Sequence, residues 1–251
     1  MRISITLDKK RTARRILFAL AWLLLWQLLS LAVDNKILLV GPYETLLTLF
    51  SEIGKKTFIL SLGATFLRIA GGFFAGLFIG ALLALCSYRS EVFCDFISPL
   101  VSVVKSIPVA SFVILILIWA GAPMLSLVIS CLVVFPIFYL NIYEGLKAAP
   151  HDLLEMAHVF GMKRSYVFKH IRLTSLKPFL QSSISLACGM AWKSGIAAEV
   201  IGRPAGSLGG NIYLSKVYLE TSELFAWTLV AVLAAALFEK VIKYAAGRCL
   251  K

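Results

Sequence analysis

The chain encodes an all-α, polytopic membrane protein of about six transmembrane helices. Its apolar residues fall in blocks of roughly 17–25, the length an α-helix needs to cross a hydrocarbon core. Of its 251 residues 60% are hydrophobic and the mean hydropathy is +0.89, far from the soluble norm. Its Lys and Arg residues cluster in alternate connecting segments, as spans of fixed orientation require. The spans take up nearly all of residues 1–251 and leave one transmembrane domain with no room for a separate soluble one.

The first span reads as Ile16–Val33, behind a short basic segment, residues 1–15, that carries Arg2, Lys9, Lys10, Arg11, Arg14 and Arg15. Ser30-Leu31-Ala32 resembles a signal-peptide cleavage site. The apolar run is longer than a signal core and more spans follow, so an uncleaved anchor is expected. The second span, Leu62–Tyr88, carries Gly71, Gly72, Gly76 and Gly80 at small-x-x-x-small spacing, which lets helices approach closely. The third, Phe96–Trp119, is interrupted by Lys105 and Pro108, where a kink would free backbone groups to line a cavity. Met124–Tyr143, Phe179–Glu199 and Phe225–Tyr244 complete the set, with a charged loop, residues 144–177, between the fourth and fifth.

A net charge of +12 would suggest nucleic acid in a soluble protein. Here its placement is topological. Arg89, Lys147, Lys163, Arg164, Lys169, Arg172 and Lys177 share a side with the basic N-terminus and with Lys240, Lys243, Arg248 and Lys251. The other side receives only Lys36, Lys55, Lys56, Arg203 and Lys216. The bias places both termini and the 144–177 loop in the cytoplasm, against membrane lipid and with no nucleic-acid partner. Cys86, Cys94, Cys131, Cys188 and Cys249 are scattered, and their odd number argues against a disulfide framework. His151, His158 and His170 fit no common zinc spacing. No phosphate-binding glycine loop or nucleophile motif occurs. The chain is therefore expected to perform no chemistry and to hold no metal or cofactor.

The loop has a pattern of its own. Asp152 is placed to cap a short helix from its side chain, and Glu155 falls where a carboxylate reaches back to that cap. Leu153, Leu154, Ala157 and Phe160 recur at helical spacing. Gly161 suits a left-handed stop, and a second short helix can start at Ser165. Two readings stand on physics alone. Amphipathic helices could lie on anionic lipid, or a short helix could dock in a groove of a partner.

Glu155-Met156-Ala157, Gly161 and Ile171-Arg172-Leu173-Thr174 resemble the cytoplasmic signature of permease subunits of binding-protein-dependent ABC importers. That signature is Glu-Ala-Ala, three residues, Gly, nine residues, then Ile-x-Leu-Pro. Met156 replaces Ala, and Thr174 replaces Pro, with Pro178 following. The span segments from Ser61-Leu62 to Arg68 and Gly71-Gly72, then Lys105-Ser106-Ile107-Pro108 and Ile118-Trp119-Ala120-Gly121, look like the nitrate, sulfonate, taurine and bicarbonate group. So do Ala191-Trp192, Ala197-Ala198-Glu199 and Gly206-Ser207-Leu208-Gly209. Val40-Gly41-Pro42 matches that group's Leu-Pro-x-Pro turn poorly. The likeness covers roughly Leu39 to Tyr244.

This resemblance implies a type I importer permease whose cytoplasmic coupling helix docks on a separate dimer of ABC ATPases. The docking set is then Asp152, Leu153, Leu154, Glu155, Met156, Ala157, Gly161, Ile171 and Leu173. It also implies an extracytoplasmic substrate-binding protein and a second permease copy, as a homodimer. Charges inside spans are expensive and face a partner or an aqueous path. Arg68 suits an acid partner or snorkelling. Ser102, Lys105, Ser106, Gln181, Ser185, Lys193 and Glu199 form a candidate path between the third and fifth spans, and the lysines bias it toward a small anionic solute. Any one serine alone is better explained as packing. Lys193 and Glu199 are too far apart along the helix to pair. A secondary transporter would show an internal repeat and a mid-span acid, and a membrane enzyme would cluster an acid, base or metal at one depth. The sequence offers neither pattern.

Overall fold

The structure, a computed structural model, describes the backbone of residues 2–249 and the side chains of residues 14–248. The side chains of Arg2, Lys9, Lys10, Arg11, Cys249 and Lys251 lie outside the described residues. Among the described residues the elements are all helical. Five helices are long and apolar enough to cross a membrane, and a bent pair brings the number to six if it forms one span. By contact the chain groups into two compact units, Met1–Ile59 with Asn211–Leu229 and Leu60–Gly210 with Val230–Lys251.

The first unit holds α1 (Arg2–Val33), α2 (Pro42–Ile53) and parts of α10 (Leu208–Val217) and α11 (Thr221–Cys249). In the apolar run of α1 over Arg14–Val33 no residue is fully buried. It is tied along one edge, where Trp26 Nε1 donates to Val40 O at 3.0 Å and Ser30 Oγ to Leu39 O at 3.1 Å. The helix α2 was not expected. Its local signal is Gly41-Pro42, with proline at the first helical position, where a missing N–H costs nothing. It buries Thr45, Leu49 and Glu52. Phe58 stacks on Trp227 at 4.9 Å. Lys36 and Lys55 are each held above the ordinary lysine value by hydrogen bonds from their ammonium groups to Glu44 and Glu52.

The second unit is built on α3 (Lys56–Arg89), α6 (Leu125–Lys147) and α9 (Leu173–Gly202), with α6 and α9 packed along one another. Gly72, Gly76 and Gly80 bring α3 onto α6 so closely that a Cβ would lie 2.3, 2.9 and 2.6 Å from the carbonyl oxygens of Leu127, Cys131 and Phe135. Gly71 is off this line, where a Cβ would meet only Leu127 Cδ1 at 3.5 Å. Phe73 packs edge-on against Phe138 at 5.7 Å and Phe238 at 5.3 Å, filling a core that includes Ile69 and Trp192.

The third span is where the structure departs from a simple crossing. It is two helices, α4 (Glu91–Ser106) and α5 (Val109–Ala120), bent by 99° at Ile107-Pro108. Pro108 supplies no N–H to continue α4, and it holds Ile107 extended at φ −71°, ψ 131°. The fifth span begins earlier than expected. A short α8 (Arg164–Val167) and a π-helical turn, Phe168–Arg172, run on into α9, so Arg164–Gly202 forms 39 continuous residues. The second loop helix is thus the foot of the span and not a separate element. Thr174, where the signature has proline, keeps its N–H for the helix, and its Oγ1 donates back to His170 O at 2.9 Å.

Candidate functional site

The patterned loop leaves α6 through Ala148, whose N–H donates to Glu144 O at 2.9 Å. Pro150, at φ −58° and ψ 130°, opens α7 (His151–Val159). The helix therefore starts one residue before the expected cap. Asp152 lies inside the first turn and no side-chain cap bond forms. Its exposed carboxylate acts on the helix only through the dipole. Glu155 likewise does not reach back to a cap; it lies 3.4 Å from His151 Nδ1 across one turn. The stop is as the sequence suggested. Gly161 adopts φ +62°, Gly161 N–H donates to His158 O at 3.0 Å and Met162 N–H to Ala157 O at 2.9 Å, the paired bonds of a Schellman turn.

The apolar residues of α7 divide between two faces. Ala157 is buried and Leu154 half-buried, facing the protein. Leu153, Met156, Val159 and Phe160 stand exposed, the last two at 81% and 72%. Ile171 is half-buried and Leu173 exposed on the foot of the span.

A cavity of about 280 Å³ lies under the α4–α5 break. Lys105, Ile107, Val109 and Phe112 line it from the broken span, Pro136 and Asn141 from α6, and Leu186 and Met190 from α9. Lys105 and Asn141 are its polar groups, and the Asn141 amide already donates to Ile137 O at 2.8 Å. The cavity is thus an apolar chamber with one cation at its edge. Ser102 and Ser106 do not line it; Ser106 Oγ donates to Ser102 O at 2.8 Å within α4.

Gln181 and Ser185 belong to a different cavity of about 520 Å³, lined also by Ser182 and Lys243. Ser185 Oγ donates to a Glu239 carboxylate oxygen at 2.8 Å, and Glu239 pairs with Lys243. Lys193 is exposed on α9 and lines neither cavity. Glu199 is wholly buried. Thr65 Oγ1, Ser126 Oγ and Gly209 N–H donate to it at 2.8, 2.9 and 3.1 Å. Arg68 Nη1 lies 3.7 Å away. The structure thus gathers Lys105 with apolar residues the sequence did not single out, and it separates the other candidates into distinct places. The break at Ile107-Pro108 was the only signal for the chamber, because side chains from distant spans complete it.

Residues 72–245 match the family described as the binding-protein-dependent transport system inner membrane component. A putative aliphatic sulfonates transport permease of Bacillus subtilis is 24% identical over 90% of this chain and 83% of its own. A nitrate import permease of Synechocystis is 23% identical over 84% and 78%. The taurine transport permease of Escherichia coli is 22% identical over 85% and 80%. In fold the chain is similar to one from an inward-facing crystal form of the MetNI methionine ABC transporter. That match has a TM-score of 0.51 at 18% identity and covers 74% of this chain and 92% of the other. The broken third span, the loop with its glycine stop and the family match agree: the chain belongs to the inner-membrane components of binding-protein-dependent transport systems and is the multi-pass permease subunit of an ABC importer.

Proposed function

We propose that this permease docks its ATPase through α7 and passes a small anion through the chamber under the α4–α5 break. An importer permease works with an ATPase and a substrate-binding protein. The observation that carries the docking reading is the outward face of α7. Four apolar side chains stand exposed on a helix that Gly161 ends sharply. A short apolar helix ending so abruptly suits a partner's groove. Asp152 and Glu155 edge that face, Leu154 and Ala157 hold the helix to the permease, and Ile171 and Leu173 seat its exit.

The single cation of the chamber, Lys105, supports an anionic cargo, as do the nitrate and sulfonate names of two relatives. Of the candidate path residues, Ser102, Ser106, Gln181, Ser185, Lys193 and Glu199 lie outside that chamber. The basic residues Arg14, Arg15, Arg89, Lys147 and Lys163 favour a cytoplasmic loop and cytoplasmic termini. Two identical copies line the path. The whole chain acts as one permease domain, and the family match takes in parts of both compact units.

The test is a pull-down from membranes of the tagged chain co-expressed with its ATPase, for wild type, Glu155→Ala and Gly161→Pro. Recovery with wild type, sharply reduced in both variants at equal membrane insertion, is expected. Equal recovery in all three would return α7 to a lipid-lying role.

A further inference from the structure

We propose that Arg172 is a positioning residue that clasps the docking loop to α3 and α6, so that a push on α7 moves the helix bundle instead of flexing the loop. The inference rests on the docking reading of α7 and assigns the residue that transmits what docking delivers.

Arg172 ends the π-helical turn Phe168–Arg172, in which Leu173 N–H donates back to Phe168 O, five residues earlier. Such a turn inserts one residue and rotates the side chains at its end, and it recurs at functional sites. Here it accompanies a guanidinium aimed across the bundle. Arg172 Nη1 donates to Leu146 O at 3.4 Å, and its Cζ lies 5.0 Å from the centroid of the Tyr88 ring. Leu146 is in the last turn of α6, where carbonyls lack helical partners and the helix dipole favours a cation. Tyr88 is in the last turn of α3. One side chain therefore joins the ends of two core helices to the foot of a third.

The clasp closes a loop. Leu146 and Arg172 are 26 residues apart in sequence, and α7 lies wholly between them. Just beyond the clasp α6 and α9 are in contact, since a Cβ at Gly145 would lie 2.5 Å from Leu176 Cδ1. From Arg164 to Gly202 the chain is a continuous helix. A displacement of α7 thus enters a closed ring whose base is this clasp and whose far arm is the whole length of α9. With the clasp opened, residues 148–163 can yield without moving α3 or α6.

The test uses the reconstituted complex with its ATPase and follows hydrogen–deuterium exchange before and after trapping with ATP and vanadate. In wild type, trapping is expected to change exchange both in residues 148–163 and in residues 203–210, the turn at the opposite end of α9. In Arg172→Ala and Tyr88→Ala, the change in 148–163 should persist while that in 203–210 falls at least threefold. Arg172→Lys should recover part of it, because a lysine still reaches a carbonyl and a ring face. A purely structural role would raise exchange equally with and without trapping and would leave the difference intact. If the 203–210 response is full in both alanine variants, the clasp is refuted while docking stands. If wild type shows no response in 148–163, the docking reading itself fails and the clasp with it. If Arg172→Ala does not accumulate, Tyr88→Ala decides on the same readout.

Discussion

Thr65 Oγ1 donates a hydrogen bond to Glu199 Oε2 at 2.8 Å and accepts one from Leu208 N–H at 2.9 Å. One hydroxyl thus joins α3, α9 and the first residue of α10. Glu199 is the partner that makes this work: three donors converge on a carboxylate with no exposed surface. Glu199→Ala leaves those donors without their acceptor and Arg68 without its counter-charge, and removing one partner of a buried pair costs about 3–5 kcal/mol. Thr65→Val should cost about 1–3 kcal/mol, the penalty for an unsatisfied buried group. Arg68→Gln should cost less than Glu199→Ala, since Arg68 Nη1 makes no hydrogen bond in the structure. Thermal unfolding of the detergent-solubilised chain measures all three. A Glu199→Ala protein as stable as wild type would show that the network contributes nothing.

The glycines of α3 are unequal. A Cβ at Gly72 or Gly80 would press on a backbone carbonyl of α6, which cannot rotate away. Gly72→Ala and Gly80→Ala should each cost about 1–3 kcal/mol, the range for overpacking a close contact. Gly71→Ala, whose Cβ would make only ordinary contact, should lie within 0.5 kcal/mol of wild type, as about expected for a site without strain. The same unfolding assay separates them, and equal losses at all three positions would contradict the α3–α6 geometry.

This pair of results also marks what the sequence could and could not disclose. Small-x-x-x-small spacing identified a close helix contact, but not that Gly71 lies off it, because the face turned to α6 depends on the partner helix. Lys105 and Pro108 marked the broken span, while the chamber beneath the break needed Phe112, Pro136 and Met190 from three helices. Gly161 was legible because a left-handed stop is a local property. The cap was not, because α7 starts at His151, two residues before the start that an Asp152 cap implies, and Asp152 is left inside the first turn without a bond to make. Glu199 looked like a path residue from its charge alone. Its hydroxyl donors lie on α3 and α6, and nothing in the sequence near Glu199 names them.

The loop glycine separates strain from contact. A Cβ at Gly161 would touch nothing within 4 Å, yet φ is +62°. Gly161→Ala should therefore act through backbone strain alone, about 1–2 kcal/mol. That is about a 5- to 30-fold loss of the correctly ended helix. Gly161→Asn should lose less, since asparagine tolerates this conformation better. Asp152→Ala should shift helix stability by under about 1 kcal/mol, the size of a dipole effect alone. Recovery of the ATPase in membrane pull-downs orders them. A larger loss for Asp152→Ala than for Gly161→Ala would mean that Asp152 touches the partner directly.

Lys105 is the sharpest test of the cargo. An ammonium on the edge of an apolar chamber attracts an anion strongly, because few competing polar groups surround it. Lys105→Gln removes the charge and keeps a similar length, so uptake of an anion should fall at least about tenfold, the effect of losing roughly 1.4 kcal/mol. Lys105→Arg should keep a substantial part, and Lys105→Glu should abolish uptake by repulsion. Labelled nitrate, taurine and a short alkanesulfonate, tested in cells that carry the binding protein and ATPase but no other importer of these solutes, provide the readout. ATP hydrolysis by the complex should survive in Lys105→Gln, because α7 and its stop lie outside the chamber. An uptake rate unchanged in Lys105→Gln and Lys105→Glu would place the path elsewhere. Loss of ATPase recovery in those variants would show that Lys105 supports the fold and not the cargo.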